Sequence, residues 1–78
     1  MTIKEIQEQM AATVQKETGA EVEITFFSDA PLRFSMFTMD GDNYRAAKNL
    51  LAQTATLDSQ ETYEDEEGTE YYAFFTTL

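Results

Sequence analysis

The chain contains no cysteine and no histidine. Without cysteine there is no disulfide to staple a small fold, and no thiolate to serve as nucleophile or metal ligand. Without histidine the commonest proton shuttle and the usual partner of a nucleophilic serine are missing, which mostly sets aside nucleophilic and general-base catalysis. Ser28, Ser35 and Ser59 accordingly read as turn or strand residues. Basic residues are scarce, five against fifteen acidic, for a net charge of −10. That balance argues against direct binding to a nucleic-acid backbone and against an anionic membrane surface. Long apolar runs are absent as well: Met1-Thr2-Ile3-Lys4-Glu5-Ile6 mixes charge with apolar residues, unlike a signal peptide or a membrane span. The expectation is a cytoplasmic protein of a reducing compartment, with no membrane contact, no cofactor and no metal.

What is present points to a folded domain. Ten aromatic rings and regular polar–apolar alternation separate the chain from a disordered acidic segment. At 78 residues it is expected to form one domain, 1–78. A domain of this size buries only about 60–65 % of the surface its unfolded chain exposes, so its core is thin. Paired carboxylates can cleave glycosidic bonds, but so short a chain leaves little wall for a deep pocket, and the expectation is a non-enzyme.

Thr2 and Glu5 form a Thr-x-x-Glu capping box in which hydroxyl and carboxylate each answer a free backbone N–H. They open a helix with Ile3, Ile6, Met10 and Val14 on one face, closed after Thr18 by Gly19. Glu21 to Phe27 alternates as a strand, with Val22, Ile24 and Phe26 on one side. Ser28-Asp29-Ala30-Pro31 is turn chemistry, and a second strand runs from Leu32 to Met39. Asp40 caps a second helix that reaches about Thr54, with Tyr44, Ala47, Leu50 and Leu51 turned inward. Strands at about Ala55–Glu64 and Glu70–Thr77 follow, joined through Glu66-Glu67-Gly68-Thr69, where Gly68 supplies a positive φ. The predicted fold is α+β, in the order α-β-β-α-β-β: a four-stranded, mostly antiparallel sheet with both helices on one face. Ser35-Met36-Phe37-Thr38 and Ala73-Phe74-Phe75-Thr76 occupy equivalent places 38 residues apart. Alternation alone generates such a match, which makes convergence the stronger reading and duplication the weaker.

Asp40-Gly41-Asp42 begins like a calcium loop, but Tyr44, Arg45 and Leu51 stand where ligand, glycine and bidentate glutamate are needed, so a helix cap is the better reading. Two surfaces remain as binding candidates. One is a stripe of Phe27, Phe37, Tyr71 and Phe75 with Arg33, on the strand faces turned away from the helices. It suits a homodimer or a protein partner better than stacking on RNA, because Arg33 is nearly alone as a positive charge there. Its rival is an inverted assignment in which some of these rings are core. The other surface is the acidic hairpin of Asp58, Glu61, Tyr63, Glu64, Asp65, Glu66, Glu67, Glu70 and Tyr71. From Asp58 onward the chain carries seven carboxylates and no basic residue. Alternate residues on one strand face lie about 6.6 Å apart, close to phosphate spacing along a nucleic-acid strand. Tyrosines add flat, amphipathic contacts of the kind enriched at interface hot spots. The bland reading is a hairpin tip kept soluble, and blunted against edge pairing, by charge.

A small, acidic, cysteine-free α/β chain with the run Tyr63-Glu64-Asp65-Glu66-Glu67 resembles the phage-encoded inhibitors that imitate nucleic acid, above all anti-CRISPR proteins. The resemblance implies that the acidic hairpin and its tyrosines block a basic nucleic-acid-binding surface of a host protein in the host cytoplasm. The alternative expectation is a non-catalytic module, or a homodimer, that binds through the aromatic sheet face.

Overall fold

The computed structural model describes residues 2–29 and 31–77. Helix α1 (Ile3–Thr18) starts at Thr2, whose Oγ1 accepts from the Glu5 N–H at 3.2 Å. Only half of the expected capping box forms, because the Glu5 carboxylate takes the Thr2 hydroxyl proton at 3.2 Å rather than the Thr2 backbone N–H. The helix closes as expected at Gly19, whose φ of 77° lets its N–H return to the Gln15 carbonyl at 2.7 Å.

Strand β1 (Glu23–Asp29) and strand β2 (Leu32–Thr38) form an antiparallel hairpin. The Ser28 hydroxyl donates to the Pro31 carbonyl at 2.9 Å across its turn, while Ala30 lies outside the described residues. Helix α2 (Gly41–Leu51) is capped by the Asp40 carboxylate, which accepts from the Asp42 and Asn43 N–H groups at 2.9 and 3.0 Å. It ends three residues before the expected Thr54. No glycine stops it, and the chain tightens into i→i+3 bonds from Gln53 to Leu50 and from Thr54 to Leu51. Strands β3 (Thr56–Asp65) and β4 (Gly68–Thr77) form a longer hairpin with positive φ at Gly68.

The fold is α+β. All pairings are antiparallel and the sheet order is β1-β2-β4-β3, so α2 carries the chain over β4's place to the far edge. Sheet order alone is two-fold symmetric about the β2–β4 junction. The residue match between Ser35-Met36-Phe37-Thr38 and Ala73-Phe74-Phe75-Thr76 does not follow that symmetry. Met36 and Phe75 are fully buried, whereas Phe37 and Phe74, their counterparts in the match, are only half-buried and lie on the other face.

Both helices pack on one side of the sheet. The core between them holds Val14, Ala20, Ile24, Phe34, Met36, Tyr44, Ala47, Leu51, Ala73 and Phe75. Phe34 and Phe75 stack at 5.2 Å in its centre. Ala47 and Ala73 are both fully buried, and their small side chains let α2 sit close on the two middle strands. Burying each large side chain contributes about 1.5–3 kcal/mol. Among the described residues no helix is long and apolar enough to cross a membrane.

Candidate functional site

Directly paired residues of neighbouring strands share a sheet face. Since Ile24, Phe34, Met36, Ala73 and Phe75 face the helices, their neighbours in each strand line the open face. One row across that face reads Glu23, Phe37, Tyr72, Glu61, one residue from each strand. At about 4.8 Å per strand, the two carboxylates stand about 14 Å apart with two rings between them. Phe37 and Tyr72 lie 4.9 Å apart, and Tyr63 meets Tyr72 edge-on at 5.7 Å. The next row is Thr25, Ser35, Phe74, Ser59, and beyond it Arg33 pairs with Ser28 and Thr76. Phe27 occupies a bulge in β1 and is 56 % exposed. It reaches Phe74 at 6.3 Å, over the small Ser35.

Two rings of the expected stripe are not there. Phe75 is fully buried against Phe34. Tyr71 stacks on Tyr44 at 5.1 Å on the helix side, with its hydroxyl so close to Gly41 that a Cβ there would sit 3.0 Å away. Their places on the open face belong to Phe74 and Tyr72, beside the expected Phe27, Phe37 and Arg33. The inverted assignment therefore holds for β4 alone. Every residue from Tyr71 to Phe75 is apolar, so a period of two has no phase to read there.

The acidic residues also divide by face. Asp58, Glu61 and Glu70 lie on the open face, where the Thr76 hydroxyl donates to Asp58 and the Tyr63 hydroxyl donates to Glu61 at 2.6 Å. Glu64, paired with Thr69, is on the opposite side. Asp65 anchors the hairpin turn by accepting from the Glu67 and Gly68 N–H groups at 2.8 and 3.2 Å, and Glu66 and Glu67 form the turn itself. Glu23, which does not belong to the C-terminal acid run, completes the open-face set. Its alternation with Val22 and Ile24 already turned it away from the core, but only the sheet order brings it into line with Glu61.

Charge is segregated between the layers. The helices carry Lys4, Lys16, Arg45 and Lys48 against Glu5, Glu8, Glu17 and Asp42, four of each sign, so the net −10 resides wholly in strands and loops. Arg33 is the only basic residue outside the helices. Two tyrosines of the open face are shifted, chiefly by their immediate surroundings and to a lesser degree by this charge. The hydrogen bond to Glu61, followed by desolvation and nearby charge, raises the Tyr63 phenol above its ordinary value. Desolvation, then Glu70, Glu23 and Glu61, does the same to Tyr72. Among the described residues no three carboxylates converge to hold a metal ion. They are spread over a surface, and the open face pairs flat aromatic area with negative charge. That combination suits guanidinium and ammonium groups, through cation–π contact and charge-assisted hydrogen bonds. Comparisons with protein-family models, curated proteins and solved structures give no match to this chain.

Proposed function

We propose that this protein is a small, non-catalytic inhibitor that docks its open sheet face on a basic nucleic-acid-binding surface of a host protein and excludes the nucleic acid by charge and bulk. The reading is of the same kind as the phage-encoded anti-CRISPR and other anti-defence proteins, acting in the host cytoplasm. The observation that supports it is the charge segregation: neutral helices on one side, and on the other a face where Glu23, Asp58, Glu61 and Glu70 surround Phe37, Tyr72 and Phe74. The tip of the β3–β4 hairpin adds Asp65, Glu66 and Glu67 beyond the end of β2, whose pairing with β4 stops at Tyr71.

The alternative of a homodimer through this face fares worse. Two copies laid face to face would bring four carboxylates against four with only Arg33 from each to offset them, and like charges across an interface oppose association. A basic partner meets no such penalty, and long-range attraction speeds its approach at low salt.

The test is capture from bacterial lysate at low and high salt, with and without added DNA or RNA, using the native chain and a Glu61→Lys, Glu70→Lys variant. The expected result is a basic nucleic-acid-binding protein that is released by added nucleic acid and by high salt, and is not captured by the variant. A partner that stays bound in the presence of nucleic acid, or one indifferent to both reversals, refutes the proposal.

A further inference from the structure

The two edges of the sheet are closed in different ways. At β1 the chain bulges at Phe27, α1 packs alongside, and the Gln7 side chain accepts the Phe26 N–H at 2.6 Å, occupying a backbone donor that a foreign strand would need. At β3, among the described residues, no helix packs alongside and no side chain caps an outer backbone group. Among the described elements only β4 pairs along it; Leu57 packs on the core near its start, and the polar ends of Tyr44 and Lys48 from α2 meet the Gln60 side chain. Its bulge falls at Asp58, and from Ser59 to Asp65 the pairing with β4 runs without interruption. Every residue from Asp58 to Asp65 is exposed. The outer backbone groups of this stretch thus form a ladder edge with charge as its sole protection.

That protection is selective. β3 carries Asp58, Glu61, Glu64 and Asp65 and no basic residue. A strand added beside it would set its side chains next to Ser59, Glu61 and Tyr63 on the open face, and next to Gln60, Thr62 and Glu64 on the other. An acidic strand, including β3 of a second copy, meets like charge on both faces and is rejected. A strand bearing lysine or arginine meets opposite charge on both faces while its backbone satisfies the open ladder. We infer that the free edge of β3 over Ser59–Asp65 takes up an extended Lys- or Arg-bearing segment of a protein partner as a fifth strand. The inference rests on the proposed partner being basic and adds how it is gripped: the pairing would lengthen the open face on the side of Tyr63 and Glu61.

The experiment uses the full chain, isotopically labelled, and a peptide about as long as β3 that alternates lysine with valine. Two control peptides share its length. One keeps the charge but has its backbone N–H groups methylated at alternate residues, and the other replaces lysine by glutamate. The expected result is amide shift changes along Ser59–Asp65 with slowed hydrogen exchange in β3, at least about tenfold weaker binding of the methylated peptide, and no binding of the glutamate peptide. Equal binding of the methylated peptide, binding of the glutamate peptide, or no binding of the lysine peptide overturns the inference. Shift changes confined to Phe37, Tyr72 and Phe74 overturn it too, yet leave the open-face reading standing. The failure of that reading is seen separately, in whether nucleic acid releases the captured partner.

Discussion

Phe74 and Phe75 are adjacent, identical in chemistry and assigned to opposite faces, which makes truncating each a sharp test of the site. Phe75 is fully buried and stacked on Phe34 at 5.2 Å. Phe75→Ala removes that ring from the centre of a thin core and leaves a cavity, at a loss of about 3–5 kcal/mol. Total stability for 78 residues is about 4–12 kcal/mol, so the loss removes a quarter of that margin at least and all of it at the low end. Phe74 is half-buried on the open face and touches Phe27 edge-on. Its truncation loses most of a phenylalanine's burial and a ring–ring contact but leaves no enclosed cavity, about 1–3 kcal/mol in all. Taken at the middle of these ranges, the two variants should differ by about 2 kcal/mol in urea unfolding at unchanged m, and by about 8–16 °C in Tm, with the larger loss at Phe75. Should Phe75→Ala fail to fold, Phe75→Leu and Phe74→Leu provide the same comparison on a smaller scale, with the larger loss still at Phe75. Equal losses at the two positions would refute the facing of β4, and with it the composition of the open face. A folded Phe74→Ala also yields a protein in which the partner surface is altered and the core is not.

The tyrosine environment gives a second prediction. Tyr44, Tyr63 and Tyr72 have raised pKa values, Tyr44 and Tyr72 chiefly through desolvation and Tyr63 chiefly through its bond to Glu61. The folded chain therefore keeps these phenol protons after the unfolded chain has released its own near pH 10, so stability falls as pH rises through that value and above it. Phenolate absorbance should show a titration component above the ordinary range, and Glu61→Gln should move part of it down; an unchanged titration in that variant would contradict the Tyr63–Glu61 contact. At the β1 edge, Gln7→Ala leaves the Phe26 N–H without its acceptor and should cost about 1 kcal/mol in urea unfolding while speeding hydrogen exchange at Phe26. No change in exchange there would show that the edge is not closed by Gln7.

Much of the fold was legible because its signals are local. A left-handed cap needs glycine after Thr18, a free helix start needs a carboxylate at Asp40, and the β3–β4 turn needs positive φ at Gly68, and each residue stands where that backbone geometry occurs. Alternation placed Val22, Ile24 and Phe26 on one side for the same reason, since Glu23 and Thr25 mark the phase, and that side packs on the core. Helix α2 was read too long because its end is set by a gradual tightening of backbone bonds rather than by one residue.

The sequence set the total charge and, through its local caps, turns and alternation, the order of the elements. The tertiary structure decided which residues act together. The run Tyr71 to Phe75 is apolar throughout, so only packing under α2 could choose Tyr71, Ala73 and Phe75 for the core and leave Tyr72 and Phe74 outside. The acid run looked like one surface along the chain, yet strand pairing sends Glu64 to one side, folds Asp65 into the turn and brings in Glu23 from the opposite edge of the sheet. Adjacency in sequence alternates faces in a strand, whereas adjacency across strands preserves them, and a binding face is built from the second kind.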